Sequence, residues 1–397
     1  MKRIISLFLI LLLMAPGLGR AEDLTAEWME RAFRSRSVVG GAVIVSRYGE
    51  TVFSYVYGSK SARRMDPVTL NTCYRIASVT KLVTAVGLMR LYDRGYFQLD
   101  DSISDLLSFP VVNTAYKNDP ITVRQVLSHT SGVIQSQNTK INWAYVSPRN
   151  TETLFVQYAK PGTKYNYSNI NGSFFGALIE ALTGQSLNTY MSQNVFAPLG
   201  MNAAYTARLL PDTGDISSRM SKQGTNILSP EYALTLEYED TCDPANHLSY
   251  SVGGLYISAD GMNKLGMMLC NEGWLDGVRI LSPYTVRLMQ EDQRFQPGSS
   301  VTGESRYGLG MQRVTDAYGN VWYGHQGMMD GLSSDLFYLP EKGLVVTVIA
   351  NGYTPLKSGS LVSIAIQTME RAVETDWDRR PAYPAFTWAD SAPEEND

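Results

Sequence analysis

Between Gly40 and Gly58 the chain reads "GGAVIVSRYGETVFSYVYG", with apolar and β-branched residues alternating on either side of a polar break. That pattern predicts a β-hairpin. Residues 24–36, just before it, have the apolar spacing of a short amphipathic helix. In "ASVTKLVTAVGLMRLYDRG" (77–95), Val83, Val86, Leu88 and Leu91 predict a longer helix opening near Ser78. Residues 97–107 read as a turn into a short helix. From 168 to 184, Phe174, Leu178 and Leu182 share one helical face, and Gly184 ends it. Residues 258–273 predict a helix capped by Ser258. Residues 319–352 predict three strands in succession, and 361–374 a closing amphipathic helix. Strands near both ends with helices between them predict one α+β domain whose sheet joins the two ends of the chain.

The two termini read differently. Lys2 and Arg3 precede "IISLFLILLLM" (4–14), then Pro16, Gly17 and a small-x-small step at Gly19 and Ala21. This is the layout of a secretory signal peptide, 1–21, with cleavage expected after Ala21 and a periplasmic or secreted product. The apolar run is too short for a comfortable membrane span, and no stable span is expected after cleavage. Residues 377–397 contain three prolines, end in "EEND", and are read as a disordered tail. The domain expected between them is 22–376.

Composition narrows the partners. The 397 residues carry 34 basic and 38 acidic side chains, and removing the leader takes away Lys2, Arg3 and Arg20. Nucleic acid is therefore not an expected partner. Three cysteines are too few for a disulfide framework, with a Cys242–Cys270 pair left as an open alternative. The three histidines, His129, His247 and His325, lie far apart with no i, i+4 partner, so neither a metal site nor a cofactor is expected.

Candidate chemistry begins at Ser78 and Lys81. Residues i and i+3 share a helix face, so the two can touch. A serine hydroxyl needs a base to become a nucleophile, and the helix N-terminus adds partial positive charge beside it. For Lys81 to serve, its pKa must fall from about 10.4 through desolvation or a neighbouring cation. No G-x-S-x-G elbow is present, and so few histidines leave little room for a Ser-His-Asp triad.

Other passages keep company with this pair in a familiar order. "YRIASVTKLVTA", "LSHTSGV" (127–133), "PGTKYNYSNINGSFFGALIE" (161–180), "GGLYISADGMNKLGMML" (253–269) and "YGHQG" (323–327) together resemble the serine β-lactamase and penicillin-binding protein superfamily, in its class C-like branch. The resemblance covers about residues 24–375. It implies a β-lactamase/transpeptidase-like fold, an antiparallel sheet flanked by helices with a mostly helical subdomain. Y-x-N also occurs at Tyr116 and Tyr318, but only Tyr167 has the flanking "PGTKYN" and a following helix. A literal "KSG" at 357–359 follows the last predicted strand, so "HQG" is taken as the third motif.

By that resemblance Ser78 becomes acylated, Lys81 accepts or relays its proton, and Tyr167 passes it to the leaving group. Which of Lys81 and Tyr167 is the base stays open. Asn169 is expected to hydrogen-bond Lys81 and the substrate amide, and His325 to contact Tyr167 or a substrate carboxylate. The N–H groups of Ser78 and Met328, beside the small Gly327, are the expected oxyanion hole. His129 is read as structural. Histidine where the family often has lysine removes a permanent charge, and Gln326 replaces a small hydroxyl residue, which lowers the expectation of antibiotic hydrolysis. The resemblance thus implies an exported serine hydrolase acting on D-alanyl-type amides of cell-wall peptides, or on esters. The alternatives are a penicillin-recognising sensor that acylates without turnover, a class C-like β-lactamase, and an acyltransferase.

Overall fold

The computed structural model describes residues 23–61, 66–107, 109–113, 115–133, 159–221, 225–236, 240–245, 250–293, 306–352, 357–358 and 361–379. The elements that frame the site are, in chain order, α1 (Ala26–Ser35), β1 (Gly40–Arg47), β2 (Glu50–Gly58), β3 (Cys73–Arg75), α2 (Val79–Asp93), α3 (Asn169–Thr183), β4 (Ala203–Ala204), α4 (Tyr250–Gly253), β5 (Tyr256–Ser258) and α5 (Ala259–Cys270). After these come β6 (Arg306–Tyr307), β7 (Gln312–Thr315), β8 (Val321–Met329), β9 (Leu332–Leu339), β10 (Leu344–Asn351) and α6 (Ser363–Glu374).

Seven strands form one antiparallel sheet in the order β6-β7-β8-β9-β10-β1-β2. The join between the chain ends is β1 on β10, in register from Gly40 opposite Asn351 to Arg47 opposite Leu344. Both faces of this sheet are covered. On one, α1 and α6 bury Trp28, Phe33, Ile364 and Met369 against Phe53, Phe337, Val346 and Val348. On the other, α5 and α2 pack their apolar residues against Ile44, Leu336, Val345 and Ile349. Every position of β9 and β10 is buried as a result. That is why "LVVTVIAN" is a continuous apolar run rather than an alternating one.

A helix apolar all round belongs inside a protein. Helix α2 is largely of this kind: its residues from Val79 to Met89 are all buried between α3, α4 and β8, with Thr80, Lys81 and Thr84 the polar exceptions. Capping defines its neighbours. Ser258 accepts from Gly261 N–H at the start of α5, Ser168 accepts from Ile170 N–H at the start of α3, and Gly184 closes α3 in the left-handed region at φ 68°.

At the edges of this fold one open alternative is answered and one reading is corrected. Cys242 and Cys270 are free thiols, Cys242 Sγ lying on Glu180 O and Cys270 Sγ on Leu344 O. The tail does not begin at 377, because Trp377–Arg379 is a 3-10 turn anchored by Trp377 Nε1 donating to Ala372 O at 2.9 Å. The rest of that tail, the leader 1–21 and His247 lie outside the described residues. Among the described residues no helix is long and apolar enough to cross a membrane.

Candidate active site

Strand β3 is short, and the chain turns abruptly from it into α2. Ala77 occupies the left-handed region at φ 48°, and Ser78 comes next with helical torsions. The Ser78 hydroxyl makes no capping bond to the helix it precedes. An ordinary N-cap serine is extended and bonds the second or third N–H beyond it. Ser78 is instead left free to point at Lys81. The turn is stitched from both sides, with Ile76 N donating to Leu255 O at 3.0 Å and Ser334 Oγ to Ile76 O at 2.7 Å.

The Lys81 side chain is fully buried, with Nζ 3.0 Å from Ser78 Oγ and 2.8 Å from Val252 O. Gly172 of α3 packs against its stem; a Cβ there would stand 2.8 Å from Lys81 Cε. Burial without a carboxylate partner penalises the ammonium and brings the Lys81 pKa down to about 7. The desolvation that a neutral lysine requires is present, and no second cation is needed to supply it.

Tyr167 closes the third side. Its ring centroid lies 5.4 Å from Lys81 Nζ, and its hydroxyl interacts with that of Ser78. Burial pushes the phenol up to about 12, opposed in part by the Ser78 hydroxyl, so Tyr167 is protonated at neutral pH. The segment carrying it is clamped by the 127–133 loop: Asn166 N donates to His129 O at 2.8 Å and Ser168 N to His129 Nδ1 at 3.1 Å. Because Nδ1 accepts, the His129 proton sits on Nε2. The imidazole lies under Tyr167 with centroids 4.4 Å apart, neutral because burial and nearby Lys81 disfavour its charge. It is a positioning residue, which agrees with the structural reading of the loop.

The sheet supplies the fourth side. A Cβ on Gly327 would fall 2.4 Å from Ile76 O and 3.0 Å from Ser78 N, so only glycine lets β8 pass this close to the serine. Gln326 N points away from β9, where it meets Gln312 Oε1 at 3.0 Å. Amides two residues apart point the same way along a strand. The Met328 N–H therefore also faces the side of β8 away from β9, one residue beyond Gly327, which packs against Ser78 N.

Two predicted contacts are corrected. Lys81 Nζ is held by Ser78 and Val252, not by Asn169, because α4 brings its carbonyl into the position that the amide was expected to fill. Asn169 stands half-buried as the first residue of α3, where its own carbonyl accepts from Ser173 Oγ. His325 reaches neither Tyr167 by a hydrogen bond nor solvent. It is 1% exposed, with Nε2 3.0 Å from Tyr307 Oη and Nδ1 on Gln326 O. A carbonyl can only accept, so Nδ1 carries the proton and Tyr307 donates to Nε2. Burial and the nearby Lys81 push His325 down to about 3, leaving it neutral and unable to act as a cation for a carboxylate.

The structure adds residues that sequence reasoning missed. Tyr307 stands edge-on to His129 with centroids 4.7 Å apart and bridges to His325. Val252 contributes only a carbonyl, and Ser334 only a bond to the Ile76 backbone, so neither leaves a motif. The stretch "GGLYISAD" just after Val252 was the one available pointer.

This arrangement, a half-buried Ser78 over a fully buried Lys81 beside a tyrosine and an antiparallel sheet strand, is set in a β-lactamase/transpeptidase fold. Residues 22–367 match the Beta-lactamase family, and the chain belongs to it. It is 27% identical over 340 residues to "Penicillin-binding protein 4" of Amycolatopsis lactamdurans, covering 82% of this chain and 85% of that one. A solved octameric penicillin-binding protein homologue from Pyrococcus abyssi superposes with TM-score 0.69 at 23% identity, covering 89% of this chain and 77% of its own. "EstCE1, a hydrolase with promiscuous acyltransferase activity" gives 0.65 at 21% identity, covering 87% and 95%. The protein is thus a hydrolase of the β-lactamase family, related to penicillin-binding proteins.

Proposed function

We propose that this protein is an exported serine hydrolase working through an acyl-enzyme on esters or D-alanyl-type amides. The observation that carries the proposal is the 3.0 Å approach of Lys81 Nζ to Ser78 Oγ in a site where Lys81 has lost its ordinary basicity. Lys81 in its neutral form takes the Ser78 proton while Oγ forms a bond to the substrate carbonyl carbon. The carbonyl electrons move onto oxygen, which the N–H groups of Ser78 and Met328 receive. On collapse the bond to the leaving oxygen or nitrogen breaks, and Tyr167 gives that atom its proton. Lys81 returns a proton to Tyr167. Water then repeats the sequence on the acyl group, releasing acid and free Ser78. Lys81 is the base in this scheme, since a phenol held at about 12 is too weak an acid to be ionised at neutral pH.

The neutral, enclosed His325 favours a leaving group without a carboxylate to be neutralised, which ranks esters and D-amino amides above penicillins. The test is intact-protein mass over time with a p-nitrophenyl ester, a D-alanine p-nitroanilide and a penicillin, with Ser78→Ala as control. Turnover of ester or anilide, with a transient acyl adduct absent from the control, is the expected result. A lasting penicillin adduct without turnover would instead make it a sensor, and full activity in folded Ser78→Ala would sink the mechanism. Export is tested by the mass of the cell-derived protein, expected to begin at Glu22.

A further inference from the structure

Three residues before Ser78, the far side of β3 faces a small cavity of about 10 Å³, room for one water-sized occupant. Its polar lining is made of the Tyr74, Tyr256, Ser217 and Ser218 hydroxyls and two guanidinium groups, with no carboxylate. The Tyr74 hydroxyl, the Ser218 hydroxyl and Arg219 Nε are all buried, and none has a hydrogen-bond partner. Tyr74 and Ser218 are each 1% exposed. The Ser217 hydroxyl, next to Tyr74, donates to Lys60 O at 3.2 Å and accepts from Asn351 Nδ2 at 2.8 Å. Arg75 also lines the cavity, and its one side-chain bond runs from Nε to Gly253 O at 2.9 Å. Arg219 offers Nη1 only to Met329 Sδ, a weak acceptor at 3.6 Å.

Among the described residues neither guanidinium has a carboxylate partner. The carboxylate on this side, Asp215, is taken by Thr69, Thr72 and Lys60. Two like charges therefore border one cavity; Arg75 is held below its usual range by burial first and also by Arg219. Buried polar groups are normally satisfied, and a cluster of orphaned donors marks an occupant. Water could use some of these donors but would bring no negative charge to the two half-buried guanidinium groups.

We propose that this cavity is a binding site for a monatomic anion, chloride under ordinary conditions, held by Arg75, Arg219, Tyr74 and Ser218. The volume excludes a substrate carboxylate, phosphate or sulfate. The anion braces Arg75 and, through Gly253 O, helix α4, whose Val252 carbonyl holds Lys81. The site is independent of which acyl group the enzyme takes.

The test is thermal unfolding of the whole protein in sodium chloride, bromide and gluconate at one ionic strength, with bromide anomalous diffraction from crystals. Halides are expected to raise Tm by about 2–5 °C over gluconate, saturably, with a bromide peak between Arg75 and Arg219. Arg219→Gln should abolish the halide rise. Ser218→Ala, which removes only a hydroxyl, should move the half-saturation point to higher halide and covers the case in which Arg219→Gln does not fold. Equal Tm in chloride and gluconate with no bromide peak overturns the proposal. So does a halide rise that both variants leave unchanged.

Discussion

At the scale of single residues, Lys81 explains most about how this site works and what it costs. A lysine brought to about 7 by burial gives kcat/KM a tenfold rise per pH unit below that value and a plateau above it. His325, at about 3, adds no second inflection between pH 5 and 8, so the profile measured on an ester is expected to show one ascending limb. The same burial has a sign for stability. The folded pKa lies below the unfolded one, so the unfolded chain binds the extra proton and stability rises with pH between about 7 and 10.5. Below 7 the cost is fully present. Lys81→Met is therefore expected to abolish turnover and to be more stable than the wild type at pH 6, by about 2–4 kcal/mol. The gap should close as urea melts are repeated toward pH 10. A wild type that is the more stable at pH 6 would mean that the ammonium is better solvated than its surroundings indicate. Ser78 and Lys81 were legible as a pair because their spacing is local. Val252 was not, since any residue can supply a carbonyl.

At the scale of elements, the site is the meeting of one turn, one helix start and one strand edge. Gly327 is what allows that meeting. Gly327→Ala would drive its methyl against Ile76 O, which is backbone and is held by Ser334, so β8 has to move away from Ser78. A loss of at least about 100-fold in kcat/KM, with a lower Tm, is the expected outcome in a paired activity and melting assay. Gly184 provides the contrast. It caps α3 at φ 68° with open space around its missing side chain, far from the serine turn. Gly184→Ala is expected to cost about 1 kcal/mol in denaturant melts and to leave activity intact. Most element positions were readable from periodicity, including all three strands between 319 and 352. The corrections fell on contacts instead. The family pattern placed Asn169 next to Lys81, but α4 lies nearer, and nothing in "YSVGG" announces that a four-residue helix will present its carbonyl there.

For the whole molecule, the sheet is covered on both faces, and the back layer comes from the two ends of the described chain. Leu24 N donates to Thr375 Oγ1 at 3.0 Å, joining the start of α1's segment to the end of α6. Arg371 stacks on Trp28 across the same interface at 4.4 Å. Deleting residues 363–397 would strip Ile364, Met369 and Ala372 from that face and expose Val346, Val348 and Phe337. Each such large side chain stabilises by roughly 1.5–3 kcal/mol when buried, and their joint loss exceeds the margin of a typical domain. The shortened chain is expected to lose its cooperative melt and to bind a hydrophobic dye, although no residue of the site has been touched.

Features that depend on near neighbours were set by the order of the amino acids alone: the hairpin, the helix opening at Ser78, the caps at Ser168, Ser258 and Gly184, and the serine with its lysine one turn on. Periodicity, capping and i, i+3 spacing act within a few residues, so they are written in the order of the chain. The rest arose only when distant segments packed together. Burial set the protonation of Lys81, His129 and His325, since a pKa depends on everything within several ångströms, whatever its place in the chain. Packing also enclosed His325 and turned it toward Tyr307. And it brought Arg75 against Arg219, two cations 144 positions apart that no local pattern could have paired.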